Sequence, residues 1–203
     1  MARPREFDER EALDAAVQCF WSRGYEATSV RELAQGMGIT GTSLYNAFGD
    51  KRELFRRALD HYLDHSVRER ISRLESTQKP GAAICSFFDE IIERSLTDRQ
   101  RRGCMLVNTA LDVAPHDAEF REIVVTELRD IEAFFRRCIE LGKNSGELAT
   151  NQDTTDLARL LLSVLLGIRV LARTRPERSL LEGVARPAMA LIGCTVHSLP
   201  PHH

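Results

Sequence analysis

The sequence predicts an all-α chain, with an N-terminal three-helix helix-turn-helix unit followed by a larger helical domain. Three observations carry this. Apolar residues recur at three- and four-residue intervals in one segment after another, the period of helices with a buried face. Helix-start signals precede these runs: Asp8 with Glu11, Ser29 with Glu32 and Asp50 with Glu53 each place a side-chain acceptor over backbone donors that a helix start leaves without partners. Helix-stop signals close them, at Gly24, Gly38, Pro115 and Gly142.

The first helix opens at Asp8, turns Leu13, Ala16, Val17 and Phe20 inward, and stops at Gly24. The second opens at Ser29, with Val30, Leu33, Ala34 and Met37 on its apolar face. Gly38 ends it, and Ile39 packs back on the helix it leaves. Thr40 is a good N-cap for a third, short helix with Leu44 and Phe48 inward, so Thr42, Ser43, Tyr45, Asn46 and Ala47 face outward or sideways. Short hydroxyl and amide groups on such a face suit a major-groove reader: the Tyr45 hydroxyl can donate to a phosphate and Asn46 can pair with an adenine edge. Lys51, at the first turn of the next helix, suits a phosphate as well.

Thr28-Ser29-Val30-Arg31-Glu32-Leu33-Ala34, Gly38-Ile39-Thr40, Ser43-Leu44-Tyr45, Phe48 and Lys51-Arg52-Glu53-Leu54 resemble the DNA-binding signature of the TetR family of bacterial transcriptional regulators. Phe20 to Tyr25 is similar to the aromatic and glycine run that follows the family's first helix. The resemblance implies a DNA-binding domain over residues 1–52 and a helical effector-binding and dimerisation domain over residues 53–203. It implies a dimeric, cytoplasmic repressor, released from double-stranded operator DNA by a small molecule. It also implies phosphate contacts at Ser29, Thr40, Tyr45 and Lys51, and base reading at or near Thr42, Ser43 and Asn46. Gly41 departs from the family pattern where many members carry a side chain that reaches DNA, and Thr42 where many have glycine.

Composition bounds these expectations. A chain of 203 residues with 43% apolar content can bury one reader and one larger core. The net charge is -2, and residues 1–52 carry seven Arg or Lys against eight Asp or Glu. DNA affinity then depends on local placement of Arg3, Arg5, Lys51 and Arg52. The five cysteines, Cys19, Cys85, Cys104, Cys138 and Cys194, have no zinc spacing and read as reduced thiols. The start of the chain lacks an apolar export signal, and Leu157 to Ala172 is too short and too charged to span a bilayer. No cofactor motif, metal site or catalytic constellation is predicted, which argues against an enzyme. A helical adaptor without DNA contacts is the competing class, but it has no use for Tyr45 and Lys51 together.

From Asp50 one unbroken helix is expected to about Ser76, either a lever between domains or a spacer. After the break at Gln78 to Gly81 comes an apolar helix with Ala83, Ile84, Phe87, Phe88, Ile91 and Ile92, then a short one from Cys104 to Ala114. On the short helix Asn108 and Asp112 share an inward face, as a satisfied core pair or as anchors for a ligand. A further helix is expected over His116 to Gly142. Phe87, Phe88, Cys104, Met105, Asn108, Asp112 and Phe134 are the candidate effector contacts. Cys104, beside Arg101 and Arg102 at a helix start, reads either as an inert core thiol or as a sensor of oxidants or electrophiles. His61 and His65 read as solvated, or as two metal ligands with Asp64 or Glu69. Helices over Asp153 to Arg173 and Ser179 to His197, the latter kinked at Pro187, are expected to pair with their copies in a four-helix dimer interface through Leu162, Leu166, Val184, Ala188 and Leu191. The tail from Leu199 to His203 is expected to lie outside the fold.

Overall fold

The computed structural model describes residues 7–194. The expected arm at Arg3 and Arg5, the tail at Leu199 to His203, and the last residues of the helix expected to reach His197 lie outside them. The described residues form helices and no strand: α1 (Glu9–Arg23), α2 (Val30–Gly36), α3 (Gly41–Phe48), α4 (Lys51–Leu63), α5 (Glu69–Thr77), α6 (Pro80–Thr97), α7 (Met105–Asp112), α8 (Ala118–Asn144), α9 (Thr154–Thr174) and α10 (Arg178–Leu191). They fall into two compact units. The first holds the chain to Glu69 together with Cys104–Val124; the second holds Arg70–Gly103 and the chain from Val125 onward.

In the first unit α1 packs on α2 and α4, and α3 closes against both α2 and α4. Asp8 caps α1 by accepting from the backbone N–H groups of Arg10 and Glu11, and Gly24 ends it at φ 83°. Ala12, Ala16, Val17 and Phe20 form its buried stripe, whereas Leu13 is only half-buried. Phe20 stands edge-on to Phe55 with ring centroids 4.9 Å apart, and Phe55 meets Phe120 at 5.1 Å. This aromatic cluster is the hydrophobic centre on which α2 and α3 rest, since Leu33, Leu44 and Phe48 are also fully buried.

The expected unbroken helix from Asp50 is continuous but not α-helical throughout. Between α4 and α5, Asp64–Arg68 is a π-helical stretch. Leu54, Ala58, Tyr62, Ser66, Arg70 and Leu74 are all buried, and they follow one another at intervals of four. In a straight α-helix each such step overshoots a full turn by about 40°, so the buried stripe would wind away around the axis. Widened turns take up part of that drift. The Ser66 hydroxyl donates to the Tyr62 carbonyl at 2.6 Å within this stretch.

Two other expectations are corrected here. Asp112 is exposed, as is its neighbour Leu111, because the half-buried Asn108 and not Asp112 lies at the edge of the inward face of α7. His61 and His65 are not simply solvated. His61 Nε2 lies 2.7 Å from Asp14 Oδ1, and His65 bridges the His61 carbonyl and Arg10 at 2.9 Å each. Asp64 is held by Arg68. Among the described residues no group of His, Cys, Asp and Glu could hold a metal.

In the second unit α9 and α10 pack on each other, and α6 packs on both. Phe87, Phe88, Phe134 and Phe135 form one ring cluster with centroid separations of 5.2 to 6.1 Å. Asp153 caps α9 through the N–H groups of Thr155 and Asp156. Pro187 lies inside α10, which ends at Leu191 and not near His197. Gly193, at φ 77°, takes the left-handed conformation and lets Cys194 N–H reach the Met189 carbonyl at 3.0 Å, which terminates the helix.

Candidate nucleic-acid interface

The first unit presents a helix-turn-helix whose geometry is fixed by its caps. At α2, Glu32 Oε2 accepts from the Ser29 N–H at 2.9 Å and from the Ser29 hydroxyl at 2.8 Å, while Ser29 Oγ accepts from the Glu32 N–H at 3.2 Å. The Ser29 hydrogen bonds, backbone first, hold the Glu32 carboxyl below the usual carboxylate range, and Arg23 pairs with its other oxygen. Gly38 at φ 66° turns the chain, with Ile39 N–H donating to the Ala34 carbonyl at 3.0 Å. Thr40 then starts α3: its Oγ1 accepts from the Ser43 N–H at 3.1 Å and lies 2.9 Å from the Ser43 hydroxyl.

With Leu44 and Phe48 anchored in the core, Thr42, Tyr45 and Asn46 point to solvent. Tyr45 is 54% exposed, a large aromatic that the described residues leave uncovered. Ser43 is half-buried and engaged with Thr40; Ser29 is exposed but engaged in its cap. A side chain at Gly41 would meet no atom within 4 Å, so the surface is open beside Thr42 and Tyr45. At α4, Asp50 accepts from the Glu53 N–H at 2.8 Å. The Lys51 ammonium stands 4.5 Å over the Tyr25 ring and donates to the Glu26 carbonyl at 3.3 Å, which orients it beside the turn.

Arg52 departs from its expected role as a free cation for DNA. Its Nε and Nη2 grip both oxygens of Asp117 at 2.8 and 3.0 Å, and Nη2 also reaches Glu119 at 2.6 Å. Arg57, too, is committed, to Glu9, the Ala47 carbonyl and the Phe48 ring. Arg31, in the first turn of α2, is by contrast exposed. It forms neither a cap nor part of an apolar stripe, so no local signal sets it apart within its helix.

The other candidate residues divide between the units. Cys104, Met105, Asn108 and Asp112 belong to the first, where Cys104 is buried and receives the Tyr62 hydroxyl at 3.6 Å. Phe87, Phe88 and Phe134 belong to the second, packed on each other and on Phe135. Leu162, Leu166 and Val184 are half-buried and Leu191 is 50% exposed, but Ala188 is 3% exposed and faces into its own chain. Arg70, Ser95, Glu127 and Arg169 are polar residues buried in the second unit that no local pattern marks. Arg70 Nε donates to Glu90 at 3.0 Å and Arg169 to the Ser95 hydroxyl at 3.4 Å. Burial, reinforced by Arg94 and Arg169, pushes the Arg70 pKa down. Periodicity hides such residues, since a long arginine stem occupies an apolar position while reading as polar.

A capped helix-turn-helix with an open, uncharged polar face, at the head of an otherwise helical chain, defines a DNA-binding transcriptional regulator. Residues 12–58 match the bacterial regulatory proteins of the tetR family, and residues 80–187 match the tetracyclin repressor-like C-terminal domain. The chain belongs to the TetR family. It is 30% identical over 183 residues to the HTH-type transcriptional regulator YezE of Bacillus subtilis, covering 90% of this chain and 94% of that one. It is 27% identical over 190 residues to the HTH-type transcriptional repressor ComR of Escherichia coli, covering 93% and 90%. A cysteine mutant of the TetR family regulator CifR, solved with 26-bp double-strand operator DNA, superposes with a TM-score of 0.81 at 36% identity, covering 93% of this chain and 98% of that one. No helix among the described residues is long and apolar enough to cross a membrane.

Proposed function

We propose that this chain is a cytoplasmic homodimeric repressor that binds a near-palindromic operator and is released by a small-molecule effector. Residues 1–52 carry the DNA contacts, and residues 53–203 bind the effector and dimerise. The observation that carries the reading is the outward set Thr42, Tyr45 and Asn46 on a helix locked by Thr40, Leu44 and Phe48. CifR, similar along nearly all of this chain, is bound to operator DNA, and ComR is a repressor. Tyr45 and Lys51, with the caps at Ser29 and Thr40, fix register on phosphates, while Thr42, Ser43 and Asn46 read bases.

Dimerisation is supported by surface that a single chain leaves uncovered. Val170 and Leu191 are 47% and 50% exposed, and a side chain at Gly167 would meet nothing within 4 Å. An effector that fits only the DNA-incompetent state shifts the population by its differential affinity for the two states. The test is to sequence the fragments of its own genome that the purified protein retains. One enriched near-palindrome with half-sites about 34 to 36 Å apart, or somewhat more, is the expected result. Retention without sequence enrichment, or a protein that stays single-chain at micromolar concentration, contradicts the reading.

A further inference from the structure

The geometry points to Cys85 and Cys194 as a peroxide-oxidisable dithiol that closes to an intrachain disulfide. Cys85 lies in α6, one turn after Gly81 and on the same face. Cys194 is not part of a loose tail, because the left-handed Gly193 and the bond from Cys194 N–H to Met189 fix its backbone. Its Sγ lies 3.4 Å from the Gly81 carbonyl. A side chain at Gly81 would bring a carbon within 2.9 Å of that sulfur, so the glycine leaves the space the thiol occupies. The Cys85 and Cys194 thiols lie close enough in that space for each to shift the other's pKa, that of Cys85 upward and that of Cys194 downward. Both cysteines are half-buried, whereas Cys104 and Cys138 are buried.

Either sulfur can begin the reaction. As a thiolate it displaces hydroxide from hydrogen peroxide as the O–O bond breaks, giving a sulfenic acid and, with a solvent proton, water. The other sulfur then attacks the sulfenic sulfur, the S–O bond breaks, and the departing hydroxide takes up a proton as a second water. Two thiols are oxidised by two electrons and one peroxide is reduced to two waters.

This inference goes beyond the repressor reading and does not depend on it, since the readout is covalent and uses no DNA. Reduced full-length protein is treated with hydrogen peroxide, alkylated and digested without reductant. The expected result is a linked peptide joining Cys85 to Cys194, loss of two free thiols per chain, and recovery of both with dithiothreitol. Cys85→Ser and Cys194→Ser should each abolish the linked peptide and leave the remaining thiol as a sulfenic acid trapped by dimedone. Unchanged thiols, oxidation of one thiol without loss of the other in the unsubstituted protein, or links that join different chains overturn it.

Discussion

Arg52 Nε and Nη2 hold the two carboxylate oxygens of Asp117 at 2.8 and 3.0 Å, tying the first turn of α4 to the start of α8 within one compact unit. The pair places a planar fork against a planar acceptor, the geometry in which arginine and carboxylate bind best. Asp117 also caps α8 by accepting from the Glu119 and Phe120 N–H groups. The Arg52 hydrogen bonds, with the cap, hold the Asp117 carboxyl below its usual range. A carboxyl depressed on folding contributes stability that is fully present above its unfolded pKa of about 3.9 and is lost as pH falls through the lower folded value. Thermal unfolding followed against pH should therefore show Asp117→Asn less stable than wild type at neutral pH, with the difference shrinking below about pH 4. A difference that stays constant down to low pH would show that the charge of Asp117 is not what stabilises this junction.

Phe20→Ala should cost about 3 to 5 kcal/mol, the usual penalty for emptying a buried aromatic site. Phe20 is 2% exposed and supports Phe55, which in turn meets Phe120. Urea unfolding reads the loss directly, and a variant of unchanged stability would mean that the cluster refills the space.

Tyr45→Phe removes one hydroxyl from an exposed ring and leaves the fold as it is. It should weaken binding to operator and to unrelated duplex alike by about 1.5 to 3 kcal/mol, the value of a hydrogen bond to a charged group. Asn46→Ala should instead relax preference at one base position by about 1 to 3 kcal/mol. Competition binding with a set of single-base operator variants separates the two, and equal losses of specificity would show the roles reversed or shared.

Leu191→Glu places a charge on a residue that is 50% exposed in the single chain, so helix content should not change. In a dimer joined through α9 and α10 it buries an unpaired carboxylate, and sedimentation should show a shift toward single chains. A variant that remains as tightly paired as wild type places the interface elsewhere.

The caps were legible in the sequence because they are local. Ser29 and Glu32 are three residues apart and Thr40 and Ser43 likewise, so spacing alone reveals their bonds. The exposure of Thr42, Tyr45 and Asn46 followed from the positions of Leu44 and Phe48 on a single helix. The commitment of Arg52 was not legible, because its partners Asp117 and Glu119 lie 65 and 67 residues away and no local rule selects them. Asp112 misled for a related reason: one turn from Asn108 it shares a face, but α7 is short and its last turn runs out to solvent. The widened turn at Asp64–Arg68 did leave a trace, in the strict four-residue interval of buried positions from Leu54 to Leu74. That interval can be taken for ordinary amphipathic spacing, which mixes threes and fours.

The π-helical stretch also sets a condition on length. Removing one residue from it takes out the extra residue that the widened turn accommodates, so the backbone can relax to ordinary turns with the later positions near their original faces. The same deletion in the ordinary turns at the start of α5 would rotate every position beyond it by about 100°. Leu74, fully buried, would then swing toward water and a charged neighbour such as Arg73 or Glu75 would be driven inward. Room for a one-residue deletion belongs to the widened turn and not to the helix that follows it.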